Sequence, residues 1–206
     1  MRPIGLEDIL GRERYGQARD GIRRRLIDHK RGRRVAVGDR LTLVFEDRAT
    51  VWYQTQEMLW VEQITDLDAI REELDVYNAL MPSDAELSAT LLVEISEQAR
   101  IREELLGLLG IDRHVGLDVG GRRIAAEFEG GRQTDDQISA VQYVRFPVDA
   151  TSREALRSGA EANVVVDHAR YAARTPLVGL QRDSIVGELL DPALADAALR
   201  RVRDGE

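Results

Sequence analysis

Apolar and polar positions alternate along this chain in two rhythms. Tyr15, Ala18, Ile22 and Leu26 recur at helical spacing, and Arg19, Arg23, Arg24, Lys30 and Arg31 fall mostly off that stripe, which predicts a basic amphipathic helix over about 15–31. Next comes RRVAV, the turn Gly38-Asp39-Arg40, and LTLVF. A three-residue turn sets Val37 against Leu41 and Val35 against Leu43 on one face. A two-residue turn would set apolar against polar, so the longer turn is predicted.

Asp47 to Thr50 offers capping chemistry ahead of the helix-compatible run VWYQTQEMLWVEQI, Val51 to Ile64. Thr65 and Asp68 form a capping-box-like pair before Leu67, Ile70, Leu74 and Tyr77, and Pro82 closes that second helix. From Leu87 the period changes to two, with Leu87, Ala89, Leu91, Val93 and Ile95 on one face and Ser88, Thr90 and Glu94 on the other, which predicts a half-buried strand. Ser96 can cap a helix carrying Ile101, Leu105, Leu108 and Leu109, ended by Gly110 in a left-handed conformation.

Gly120-Gly121 lies between VGLDV and RRIAA and predicts a two-residue hairpin. That turn pairs Leu117 with Ile124 and Val115 with Ala126 inside, and Asp118 with Arg123 and His114 with Glu127 outside, so both faces agree. A strand over about Ile138 to Phe146, a short helix near Ser152 to Arg157, a strand at Asn163 to Val166 and a last helix after Asp191-Pro192 complete the pattern. Strands joined by hairpins or single helices predict an α+β fold: a largely antiparallel sheet with helices packed on one face. Residues 1–180 are expected to form one domain and 181–206 a C-terminal helical extension that docks on the body or on a second copy, so a homodimer is among the expectations.

Length and composition fit that picture, since 206 residues at 43% apolar content can fill one sizeable core. The absence of cysteine removes thiolate nucleophiles, disulfides and Cys-based metal sites from this chain. No run is long and apolar enough for a signal peptide or a bilayer span, so a cytoplasmic location and no membrane partner are expected. The net charge of −8 opposes general affinity for nucleic acid. The charge is uneven: from Arg12 to Arg40 eleven Lys or Arg face four Asp or Glu, a local +7 that leaves −15 for the rest.

Catalytic motifs are absent. His29, His114 and His168 stand singly, without helical i, i+4 pairing or a neighbouring glutamate of the zincin kind, and read as surface or strand-edge residues. Asp167 and His168 are adjacent on a strand and point to opposite faces. The glycine pairs Gly120-Gly121 and Gly130-Gly131 lack the Lys-Ser or Lys-Thr that completes a phosphate loop. Glu57 and Glu62 are candidate acids, yet five residues apart on a helix they diverge by about 140°, so convergence needs a distant group such as Glu94. The Lys30-Arg31-Gly32-Arg33-Arg34 cluster attracts phosphates in principle, but no aromatics interleave it as single-strand binding demands.

The strings KRGRRVAVGDRLTLVFEDRATVWYQTQEML, YNALMP, ELSATLLVEI and SAVQYVRF, in that order and within about residues 5 to 178, resemble an uncharacterised bacterial family known only as a domain of unknown function. Its features are an arginine-rich start, the step Phe45-Glu46 and the run Gln56-Glu57-Met58-Leu59; this chain departs from it at Trp60, where relatives carry arginine, and at Gln142, where they carry histidine. The resemblance implies a companion of rubrerythrin-type di-iron proteins and of iron–sulfur reductase-like subunits. The expected function is therefore an accessory or interaction protein without catalysis of its own, serving peroxide- or iron-linked redox metabolism through a protein partner such as a redox enzyme, with no cofactor or metal. The alternative is a metal-binding protein or enzyme with a carboxylate-rich site, and a weaker one is nucleic-acid binding through the basic segment. Candidate binding residues are Arg31, Arg33, Arg34, Gln56, Glu57, Glu62, Asn78, Thr90, Glu94 and His114.

Overall fold

The computed structural model describes residues 1–95, 97–130 and 138–205. Its elements, in chain order, are α1 (Arg12–Arg31), β1 (Arg34–Val37), β2 (Leu41–Phe45), α2 (Arg48–Val61), α3 (Leu67–Asn78), β3 (Glu86–Val93), α4 (Ile101–Leu106), β4 (Val115–Val119), β5 (Arg122–Ala125), β6 (Glu127–Phe128), β7 (Val141–Pro147), α5 (Ala150–Arg157), β8 (Ala162–His168), β9 (Tyr171–Pro176), α6 (Gly179–Leu190) and α7 (Ala193–Arg203). This is an α+β fold with antiparallel pairing throughout. The strands divide into two sheets, in the orders β1-β2-β3-β7-β6 and β5-β4-β8-β9.

Alternation explains the sandwich. Val35, Leu43, Leu91 and Phe146 from the first sheet and Leu117, Ile124, Val164 and Val166 from the second enter one core, to which α6 adds Ile185, Val186 and Leu189. Removing side chains of this size from water stabilises the fold by roughly 1.5–3 kcal/mol each. A second core lies among the helices, where Tyr15, Ile22 and Leu26 of α1 meet Val51 and Trp52 of α2, Leu74 of α3 and Ala198, Leu199 and Val202 of α7.

Both predicted hairpin registers are observed. Val37 pairs with Leu41 and Val35 with Leu43. Leu117 pairs with Ile124 and Asp118 with Arg123 across Gly120 and Gly121, whose φ angles of 56° and 88° only glycine adopts freely. The second hairpin ends early: Ala126 N still donates to Val115 O, but Glu127 crosses to the other sheet and pairs with Arg145 instead of His114.

Other boundaries shift for local reasons. Asp47 caps α2 by accepting from Thr50 N, so that helix begins at Arg48 rather than Val51. The cap of α3 is Asp66, which accepts from Asp68 N and Ala69 N, not the Thr65–Asp68 pair. α4 stops at Leu106, and Gly110 takes the left-handed conformation one turn later. The proposed cap Ser96 and the residue Gly131 lie outside the described residues. β9 and α6 escape the apolar pattern: in β9 only Tyr171 is buried, and α6 starts on Gly179 and carries a second glycine, Gly187, near its end. No helix among the described residues is long and apolar enough to cross a membrane.

Candidate functional site

Where α1 ends, α6 and α7 lie beside it and leave a cleft of about 700 Å³, lined among others by His29, Gly32, Ser184, Glu188, Leu194 and Ala198. The helical spacing that buries Ile22 and Leu26 carries on to His29, which reaches the same interior side of α1. Gly32 follows, and a Cβ there would lie 3.1 Å from Leu180 and Ser184, so a glycine lets α6 approach this closely. Beneath the cleft the chain passes into β1 and, after β2, reaches the N-cap of α2. Those two junctions bring Arg33 and Asp47 under the floor.

Four ionisable groups meet there. His29 Nε2 is 2.5 Å from Asp47 Oδ2. Arg33 Nη1 lies 3.3 Å from Asp47 Oδ2 and 2.8 Å from Glu188 Oε2. Arg33 is 1% exposed, Asp47 0% and Glu188 4%. Arg33 also donates to Phe45 O and Glu46 O at 2.9 Å, and to Ser184 Oγ at 3.2 Å, which fixes its fork. Glu188 Oε2 is held by its ion pair with Arg33 Nη1 and takes no other contact from a described donor.

The electrostatics divide the two carboxyls. Burial alone would raise both. For Asp47 the Arg33 guanidinium, then His29, outweigh it and hold the carboxyl far below its ordinary range. For Glu188 burial, reinforced by the neighbouring Asp47, wins over Arg33 and pushes the carboxyl up to about 8. Arg33, with burial opposing but Asp47, Glu188 and Glu46 around it, stays firmly charged. An ionised Asp47 can only accept, so His29 Nε2 donates the hydrogen of that contact, and no residue among those described bonds to His29 Nδ1. The floor thus pairs a fixed charge couple with a neutral carboxylic acid and an oriented imidazole, an arrangement suited to holding hydrogen-bonding groups and exchanging protons.

The residues singled out from the sequence are spread over other places. Arg31 is exposed and pairs with Asp28 at 3.2 Å. Arg34 pairs with Glu94, which also accepts from Thr42 Oγ1 at 2.9 Å. Gln56 is buried and clamps the backbone of Leu10, accepting from its N and donating to its O. Asn78 does the same for Ile4. Glu57 accepts two hydrogen bonds from Arg19, at 2.8 and 2.7 Å, and one from Tyr15 OH at 2.5 Å. Glu62 is the exposed C-cap of α2. Thr90 donates to the buried Glu46 at 2.7 Å. His114 Nδ1 is 3.1 Å from Asp167, and its ring lies 5.2 Å from that of His168, whose Nε2 donates to Leu109 O.

Gln56 and Asn78 therefore share one task, tying down residues 4–10, and Arg34 and Glu94 share another on the surface. Gln56 and Glu94 line different pockets of the described residues, and Arg33 alone of the candidate set belongs to the charge cluster behind the α1–α6–α7 cleft. His29, Asp47 and Glu188 carried a weak signal. His29 prolongs the apolar stripe of α1, and Glu188 is surrounded by Ile185, Val186 and Leu189, which marks both as interior. No three His, Asp or Glu side chains among the described residues are placed to hold a metal ion.

Comparison with known proteins finds no match among curated ones. A solved crystal structure of a novel protein of unknown function from Burkholderia pseudomallei K96243 is 32% identical, with a TM-score of 0.84, over 91% of this chain and 99% of that one. The family profile described as "Protein of unknown function (DUF3501)" matches residues 3–189, from the Asn78-clamped N-terminal segment through β9 and nearly all of α6, Glu188 included, and the chain belongs to that family.

Proposed function

We propose that this chain is an accessory binding protein, without a nucleophile of its own, that holds a small ligand in the cleft between α1, α6 and α7. The supporting observation is the clustering of the half-buried His29 and the buried Arg33, Asp47 and Glu188, of which His29 and Glu188 line the cleft and Arg33 and Asp47 lie behind them. Interior ion networks are commonly no better for stability than well-packed apolar residues, so four such groups in one place suit a site better than a strut. The cleft's size lies in the range of small-molecule sites. Leu180, Leu194, Ala198 and Val202 give it apolar walls. His29 Nδ1 has no partner among the described residues, so the matching ligand has an apolar body and a hydrogen-bonding end, such as an amine, a phenol or an alcohol.

The protein partner in peroxide- or iron-linked redox metabolism belongs to the same proposal and rests on the family resemblance. The alternative carboxylate-rich site gains no support from Glu57, Glu62 and Glu94, which are held by separate partners or exposed. Nucleic-acid binding loses Arg33 to the interior.

A thermal-shift screen of small amines, phenols and alcohols against the wild-type protein and His29→Gln tests the reading. Compounds that raise the Tm of the wild type and fail on the variant are the expected result. A broad set with no effect on the wild type, or with equal effect on both, would overturn it.

A further inference from the structure

Two helices that pack against α2 carry opposite charge. α1 has eight Lys or Arg against three Asp or Glu, a local +5, and α3 has four acids against one arginine, a local −3. Several of these groups are satisfied within the molecule. Arg19 holds Glu57, Arg25 takes the last carbonyls of α7, Arg31 pairs with Asp28, and Arg71 pairs with Asp68. Arg23 and Lys30 on α1, and Glu72 and Asp75 on α3, have no side-chain partner among the described residues. Arg23, Glu72 and Asp75 are exposed and Lys30 is half-buried.

Placement gives these charges a common surface. Arg12, Gly16, Arg19, Arg23, Ile27 and Lys30 recur every three or four residues and share one flank of α1. That flank meets α2. Arg12 stacks on Trp60 at 4.7 Å, a Cβ on Gly16 would come within 2.6 Å of the same ring, and Arg19 grips Glu57. α3 packs against α2 as well. The same three helices leave Ile27, Val61, Leu67 and Val76 in water, at 52%, 61%, 58% and 64% exposure. Unpaired charges of both signs among exposed apolar side chains make a surface complementary to itself.

We propose that two copies of this chain meet through this helical layer, α1 of each lying against α3 of the other, with Arg23 and Lys30 facing Glu72 and Asp75 across the interface. A two-fold axis over α2 makes both contacts at once and closes the pair. Ile27 lies between the two cations and Val76 follows Asp75, so apolar side chains meet where the charges pair. The apolar contact supplies affinity, and the charges set register and choice of partner. A polynucleotide suits the surface less, because Glu57 and the acids of α3 repel phosphates. Arg25, Asp28, His29 and Gly32, which line the cleft, face another flank of α1, so the dimer leaves the cleft open and stands apart from the ligand reading.

Sedimentation velocity of the full chain, at protein concentrations up to about 100 μM, tests this. A dimer is expected, with a dissociation constant that rises at least tenfold between about 0.05 M and 0.5 M salt. Reversing the basic side with Arg23→Glu and Lys30→Glu, or the acidic side with Glu72→Lys and Asp75→Lys, is expected to weaken it at least tenfold. Mixing the two double variants is expected to restore a heterodimer, because both contacts then pair opposite charges again, and a merely structural effect of the substitutions would not be cured by mixing. If Lys30→Glu prevents folding, Arg23→Glu mixed with Asp75→Lys gives the same comparison at exposed positions. A monomer at every concentration, a dimer indifferent to both reversals, or variants that stay apart on mixing would overturn the proposal, as would a monomer that binds single-stranded oligonucleotide through Arg23 and Lys30.

Discussion

The carboxylate of Asp47 accepts a 2.5 Å hydrogen bond from Nε2 of His29 while the same side chain caps α2 through Thr50 N. One buried group thus joins the end of α1 to the start of α2, and Arg33 stands beside it as the compensating charge.

Asp47→Ala should be among the most damaging single changes in the chain. It removes a helix cap, worth roughly 0.5–2 kcal/mol, and strips a buried arginine of its strongest partner, for which losses of about 3–5 kcal/mol are usual. Urea denaturation followed by circular dichroism is expected to show a fall in the midpoint with little change in slope. Asp47→Asn keeps the acceptor for Thr50 N and should lose less.

Stability should depend on pH through Glu188 in a definite direction. Its carboxyl is pushed up to about 8, chiefly by burial and then by Asp47, so the folded state keeps a proton that the unfolded chain releases near 4.5. Stability therefore declines as pH rises from about 4.5 to 8, by an amount on the order of a few kcal/mol. Asp47 acts oppositely at the acid end, where its depressed carboxyl gives stability that is lost as pH falls below its ordinary value near 3.8. Denaturation midpoints of the wild type and Glu188→Gln across pH 5 to 9 check this: the slope of the wild type should vanish in the variant.

Tyr15→Phe tests the polar end of the helical core. The phenol donates to Glu57, and burial followed by that contact raises its ionisation well above the ordinary tyrosine range. Removing the hydroxyl costs about 1 kcal/mol and leaves Glu57 held by the Arg19 fork. In an ultraviolet titration, Tyr15 should ionise only when the protein unfolds.

Two glycines with similar backbone angles should respond differently to alanine. Gly38 has φ +71°, and a Cβ there would come within 2.3 Å of Tyr171 OH, which bonds to Val37 O. Gly121 has φ +88° and open space around it. Gly121→Ala is expected to cost about 1 kcal/mol of backbone strain, and Gly38→Ala at least about twice that because Tyr171 must also move. Paired thermal melts decide it.

The fold was legible wherever its cause is local. Alternation fixed the registers of the β1–β2 and β4–β5 hairpins, because a slip of one residue would expose every apolar side chain, and capping chemistry marked a helix start within Asp47 to Thr50. β9 and α6 were not legible, since their stability comes from what they lie against and their own apolar patterns are thin.

The cleft shows the same division. Taken alone, the sequence determined that this chain has no thiol, that its N-terminal helix is basic and amphipathic, and that hairpins dominate its strands, all consequences of composition and short-range periodicity. Only the tertiary structure decided that His29, Arg33, Asp47 and Glu188 share one buried site. They come from the end of one helix, two loop junctions and a helix near the far end of the chain, and no spacing rule connects such positions. Burial of charge is a property of the assembled interior, where each group is tolerated because of the others, and that mutual dependence exists only after the cores have formed.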